Sequence, residues 1–225
     1  MVGIAGVEMV GRRQRRQAAR LGVLLRPERS LWRLGLTRVA GVDEVGVGPL
    51  AGPVVAAAVI VPVEVNLRGV DDSKKLTRAL REELATKITA CALGVGVGIV
   101  DVEDIDRLNI YRAALEAMRR AVVALGSEPE HVVVDARRIP GIGIPQTALI
   151  GGDSRSYSVA AASIVAKVTR DRLMRDLGFQ YPQYGFGEHM GYGTARHLAA
   201  IARYGPCPIH RHSFAPVREL RLPGL

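Results

Sequence analysis

Residues 38–62 read RVAGVDEVGVGPLAGPVVAAAVIVP. An apolar run leads to two adjacent carboxylates, Asp43 and Glu44. A turn rich in glycine and proline follows, and then a second apolar run. Short apolar runs bounded by turn residues have the pattern of buried strands. The stretch therefore predicts strands over 38–45 and 53–62, joined as an antiparallel hairpin. Carboxylates at the end of a buried strand are costly, because an unpaired buried charge is strongly disfavoured. A divalent cation is the common compensation for such a cluster. Gly46 and Gly48 remove side chains just beyond the acids, so a ligand can approach bare backbone amides there.

Outward from this hairpin, residues 28–37 predict a short helix ending near Gly35, and 71–75 a polar loop carrying Lys74 and Lys75. A helix is expected over 77–90 with Thr77 as its cap. A third strand (91–100), an acidic turn (101–106) and an amphipathic helix (109–125) come next. A fourth strand over 131–134 ends at Asp135. A fifth over 147–150 runs into Gly151, Gly152 and Asp153. Residues 156–176 predict a long helix whose small residues, Ala160 to Ser163, allow close approach to a sheet. A loop over 179–187 and a helix over 192–204 precede the tail. Three strands in succession, then strands alternating with helices, predict an α/β fold with a mixed sheet covered by helices.

The chain has 225 residues, 48% of them hydrophobic but only 4% aromatic, which predicts a core of Val, Leu, Ile and Ala. Cys91 and Cys207 lie far apart and suggest no disulfide framework, so a reducing, cytoplasmic setting is the expectation. No apolar run reaches a membrane span without interruption. Of the net charge of +9, residues 1–40 supply nine arginines against two glutamates. A basic arm of this kind attracts phosphate backbones without sequence preference. A solvated, partly helical lead-in fits the same residues. A transit peptide is disfavoured by the lack of serine, and the first ten residues lack the charged head of a secretory signal.

Acids stand at the ends of apolar strands four times: Asp43, Glu44, Asp135 and Asp153. If strands one and four are parallel neighbours, Asp43 and Asp135 converge at the edge where α/β sheets build their sites. Four such carboxylates would repel unless cations sat among them. Two hard cations about 3.5–4 Å apart serve phosphodiester cleavage. Neighbours on a regular strand point to opposite faces, so Asp43 and Glu44 can share a metal only where the strand ends or twists. The glycines after the acids are not a dinucleotide fingerprint, which needs a helix next; prolines and a valine-rich strand follow instead. Gly94, Gly96 and Gly98 read as packing residues.

The sequence resembles the ribonuclease HII family over about residues 30–220. The motifs, in order, are AGVDEVGVGPLAGPVVAAAVI (40–60), DSKKLT (72–77), VVVDARRIPG (132–141), GGDSRSYSVAAASIVAKVTRD (151–171), YPQYGFGEHMGYGTARH (181–197) and PIHRHSF (208–214). The resemblance implies a ribonuclease H-like fold, a central five-stranded mixed sheet flanked by helices with a helical C-terminal part. It implies metal-binding catalytic roles for Asp43, Glu44, Asp135 and Asp153. It puts the 2′-hydroxyl-reading turn at Gly46, Val47 and Gly48, the sugar-stacking tyrosine at Tyr192, and phosphate-side lysines at Lys74 and Lys75. The implied reaction hydrolyses RNA in RNA–DNA hybrids. It also cuts 5′ to ribonucleotides in duplex DNA, leaving a 3′-hydroxyl and a 5′-phosphate, with Mg²⁺ or Mn²⁺. A monomer without membrane partners is expected, with residues 1–36 as a basic extension and 37–225 as the catalytic domain.

Three positions depart from the family pattern: Val47 where arginine is usual, Met190 where lysine is common, and Ala136 where glycine is usual. Losing two cationic side chains predicts weaker substrate binding. It leaves open a weakened, nucleic-acid-binding homologue as the alternative. A ribonuclease HIII is disfavoured because the arm is too short for that type's substrate-binding domain. A structural scaffold would not need glycines beside acids.

Overall fold

The computed structural model describes residues 4–219; the outermost residues of the expected extension and catalytic domain, 1–3 and 220–225, lie outside the described residues. Two helices open the chain, α1 (Ile4–Leu24) and α2 (Arg26–Trp32). The arginine-rich arm is thus largely helical. Helix α2 ends at Trp32, three residues before the end expected near Gly35, and Gly35 turns the chain at φ +86°.

The predicted hairpin follows as β1 (Val39–Val45) and β2 (Val54–Ile60), with α3 (Arg78–Cys91) and β3 (Gly94–Val100) next. Thr77 caps α3 as expected, its hydroxyl accepting the Leu80 amide. The expected acidic turn is instead a helix, α4 (Val102–Leu108), because the Asp101 carboxylate accepts the Asp104 amide and caps it. Helix α5 (Ile110–Val123), β4 (His131–Asp135) and β5 (Gln146–Leu149) complete the first two-thirds of the chain. Helix α6 (Tyr157–Gln180) ends four residues later than predicted. Short α7 (Phe186–His189), α8 (Ala195–Tyr204) and α9 (Ala215–Glu219) form the helical C-terminal part.

The sheet runs β3-β2-β1-β4-β5. The first three strands are antiparallel neighbours, while β1–β4 and β4–β5 are parallel. Strand β2 is buried along its whole length, and its side chains alternate between two layers. Ala56, Ala58 and Ile60 face α5, while Ala57 and Val59 face α6 and α3. A strand covered on both faces reads as a continuous apolar run, which is how 54–60 looks in sequence.

Glycine lets the helices sit close to the sheet. A Cβ on Gly41 would lie 2.0 Å from the Ser158 carbonyl carbon on α6, and one on Gly98 would lie 2.0 Å from the Ala117 oxygen on α5. Leu24 and Leu25 enter the α6-side core, and buried Glu28 accepts hydrogen bonds from Ser158 N at 2.9 Å and Ser158 Oγ at 2.7 Å. The N-terminal segment is thereby tied under the start of α6. No helix among the described residues is long and apolar enough to cross a membrane.

Candidate active site

The parallel pairing of β1 with β4 sets Val42 opposite Val134. Asp43 and Asp135 are the next residues on strands about 4.8 Å apart. Their preceding odd-numbered neighbours, Gly41 and Val133, both face the α6 side, so the two acids share that face. Glu44, one residue on, leaves on the other face, as a regular strand requires. It still lies within electrostatic reach of Asp135. Asp153 sits in the one-turn 3-10 segment after β5, with Lys74 Nζ 3.8 Å from its carboxylate. The structure thus brings the four predicted acids and Lys74 into one neighbourhood. Lys75 turns aside, 3.9 Å from both Asp71 and Asp72.

Local hydrogen bonds fix the acids. Asp43 accepts the Glu44 amide at 2.8 Å, and Asp135 accepts the Gly152 amide at 2.7 Å. Ser163 Oγ on α6 stands 2.8 Å from Ser73 Oγ, joining α6 to the loop that carries Lys74, and its hydrogen bonding lowers the Asp43 carboxyl against the larger effect of burial. Asp43 is buried, and burial followed by repulsion from Glu44 and Asp135 pushes its carboxyl well above the usual carboxylate range. Burial and Asp135 raise Glu44; burial and Asp72 raise Asp153. Lys74 is held above its ordinary value by Asp153, Asp72, Asp43 and Asp135, against the opposing effect of burial.

These acids have the chemistry of a cation site. Glu44 Oε2 is buried with no hydrogen-bond partner, and a buried acceptor of that kind is costly unless something binds it. Among the described residues no three His, Cys, Asp or Glu side chains close into a finished metal cage. The carboxylates are neighbours whose charges repel, the condition that a cation relieves.

The glycine turn lies beyond Glu44. Gly48 and Tyr192 meet here, since a Cβ on Gly48 would stand 3.6 Å from the tyrosine ring, which is 45% exposed. The Val47 side chain packs on the α5-side core. Beneath the turn lie two arginines that the sequence reading passed over. Arg211 donates to the carbonyls of Gly46 (2.6 Å), Val47 (3.1 Å) and Gly52 (2.8 Å). Arg170 donates to those of Pro53 (2.9 Å), Met190 (2.9 Å) and Ala51 (3.1 Å). Burial lowers the Arg211 guanidinium to about 9 and that of Arg170 to about 10, so both stay charged at neutral pH. Ser73, Ser163 and Arg137 also escaped notice; Arg137 lowers Glu44 electrostatically. An arginine two residues after an expected catalytic acid was the available signal for Arg137. The serines carried none.

A sequence model described as ribonuclease HII matches residues 40–217. The ribonuclease HII of Geobacillus thermodenitrificans is 57% identical over 212 residues, spanning 93% of this chain and 82% of that protein. Among solved structures, the ribonuclease H2 of Pyrococcus horikoshii superposes with a TM-score of 0.69 at 29% identity, over 81% of this chain and 96% of that one. The ribonuclease HII in the PCNA complex from Archaeoglobus fulgidus gives 0.68 at 31% identity, over 81% and 96%. With its sheet order, its acids at the β1 and β4 ends and a match across most of its length, the chain belongs to the ribonuclease HII family.

Proposed function

We propose that this protein cuts duplex DNA on the 5′ side of embedded ribonucleotides as well as the RNA strand of hybrids, leaving a 3′-hydroxyl and a 5′-phosphate. Family membership carries the coarser statement: the chain is an endonuclease of the ribonuclease H type, acting on RNA in RNA–DNA hybrids. The observation that carries the finer reading is the shared face of Asp43 and Asp135 beside a turn whose glycines leave backbone amides open.

In this reading Asp43, Glu44, Asp135 and Asp153 hold divalent ions, Mg²⁺ or Mn²⁺. Such a pair, when bound, supplies water activation and stabilises the leaving oxygen. The chain's own residues do the rest. The amides of the 46–48 turn sense the 2′-hydroxyl, the group that separates RNA from DNA. Tyr192 offers its exposed ring to the adjoining sugar. Lys74 places a cation beside the acids for the phosphate, and Lys75 extends that charge along the loop. The division into a basic extension (1–36) and a catalytic unit (37–225) belongs to this reading, with Leu24, Leu25 and Glu28 anchoring the extension in the unit's core.

The test is cleavage of a duplex carrying one ribonucleotide in otherwise DNA, with Mg²⁺ and separately Mn²⁺, beside Asp135→Asn. The expected result is a single cut 5′ to the ribonucleotide that disappears in the variant. Binding without cleavage under either metal would favour the second reading, a weakened homologue. That reading draws on the inward-packed Val47 side chain, which offers no cation to the duplex. Under it, Val47→Arg with Met190→Lys lowers KM and steepens the salt dependence.

A further inference from the structure

Arg170 and Arg211 are both fully buried. Neither forms an ion pair among the described residues, and their charge is met by backbone carbonyls instead. A charge placed this way is expensive for stability alone. The carbonyls it gathers come from the glycine turn, from its return limb and from Met190, two residues before Tyr192. The same segments are stitched by Leu50 N to Gly191 O (2.8 Å), Gly52 N to Ile209 O (2.8 Å) and Arg211 N to Leu50 O (2.8 Å).

A trans peptide is planar, so its C=O and N–H point in opposite directions. The Gly46 carbonyl points down to Arg211, so the Val47 amide of the same unit points away from it. The Val47 carbonyl does likewise, which turns the Gly48 amide outward on the side where Tyr192 lies. Neither amide has an acceptor among the described residues. A guanidinium on the carbonyl also polarises the peptide and strengthens its N–H as a donor.

We propose that Arg211, backed by Arg170, is the positioning residue for ribose recognition: it holds the carbonyls of the 46–48 turn inward and so presents the Val47 and Gly48 amides to the 2′-hydroxyl. The proposal rests on the reading of that turn given above and adds the group that shapes it. Lysine keeps the charge but lacks the planar fork that spans three carbonyls. Arg211→Lys therefore separates charge from shape.

The experiment uses the full chain, with Ca²⁺ replacing the catalytic metal. It measures the ratio of affinities for a duplex with one ribonucleotide and for the same duplex in DNA. Ile88→Ala, a buried change on α3, serves as a control for lost stability. Arg211→Lys is expected to lower the ratio about tenfold, the worth of one or two amide hydrogen bonds, without altering affinity for plain DNA. Ile88→Ala is expected to keep the wild-type ratio. A folded Arg211→Lys with the wild-type ratio overturns the proposal, as does an equal loss in Ile88→Ala. If Arg211→Lys does not fold, Arg170→Lys is judged by the same two criteria. A wild-type protein with no preference for the ribonucleotide would instead remove the reading of the turn itself.

Discussion

Gly46 and Gly48 look alike in sequence and differ in kind. Gly46 has φ +92°, and a Cβ there would lie 2.2 Å from Arg170 Nε and 2.8 Å from the Pro53 oxygen. Gly48 has open space apart from Tyr192. Gly46→Ala is therefore expected to destabilise the protein by more than about 2 kcal/mol. Gly48→Ala should leave the melting temperature within a degree or two but raise KM, because the added methyl stands beside Tyr192 where the proposed reading of the turn puts the sugar. Thermal melts beside steady-state kinetics separate the two, and equal effects would contradict the distinction. Ala136 carries strain of another sort: at φ +55° it occupies left-handed backbone, where alanine costs roughly 1 kcal/mol against glycine. Ala136→Gly is expected to raise stability by about that amount in denaturant titration. The acids were legible because strand-end carboxylates are conspicuous. The buried arginines were not, since an arginine on a helix or in a tail reads as solvated until its carbonyl partners are known.

At the scale of elements, the hairpin and the long α6 followed from composition and spacing. The meeting of β1 with β4 could be stated only as a condition, because register between strands some ninety residues apart leaves no local mark. Helix α4 was missed for a related reason: its acids look like a turn unless one of them is seen capping the rest. Helix α1 has a consequence that charge counting could not supply. Arg20 donates to Asp71 through Nε (3.0 Å) and Nη2 (2.6 Å), and to the Ser154 carbonyl (3.0 Å). One side chain thus ties together the loop leading to Lys74 and the segment holding Asp153. Both partners are partly exposed, so Arg20→Ala should cost only about 1 kcal/mol. Its larger effect is expected on kcat, as Lys74 and Asp153 lose a shared tether. A variant with unchanged kcat would reduce the contact to a surface pair.

Over the whole molecule, two sets of titrating groups pull stability in opposite directions with pH. His210 is buried in the C-terminal part, and burial followed by repulsion from His197 lowers it to about 4. The native protein keeps this ring neutral. Its contribution is therefore present above the unfolded value of 6.5 and is lost as pH falls toward 4, by on the order of 2 kcal/mol. The raised carboxyls work the other way: the native state binds their protons more tightly, so their repulsion weakens stability at neutral pH and eases as pH drops. Metal-free Asp43→Asn is thus expected to be more stable than wild type at pH 7, by about 1 kcal/mol. The gap should close toward acid pH, and cleavage should be abolished. Calorimetry of both proteins from pH 4 to 8 checks this, and a less stable variant at pH 7 would contradict it. The buried arginines also bear on the order in which the protein acquires its parts. Arg211 lies downstream of all four acids in the chain, yet it supplies the inner support of the glycine turn. A polypeptide halted between Asp153 and Arg211 on the ribosome already holds all four strand-end acids but lacks the residue beneath the turn. Synthesis thus supplies the four strand-end acids some sixty residues before the arginine that underlies the turn, so the turn's carbonyls gain their buried partner only after the acids are in the chain.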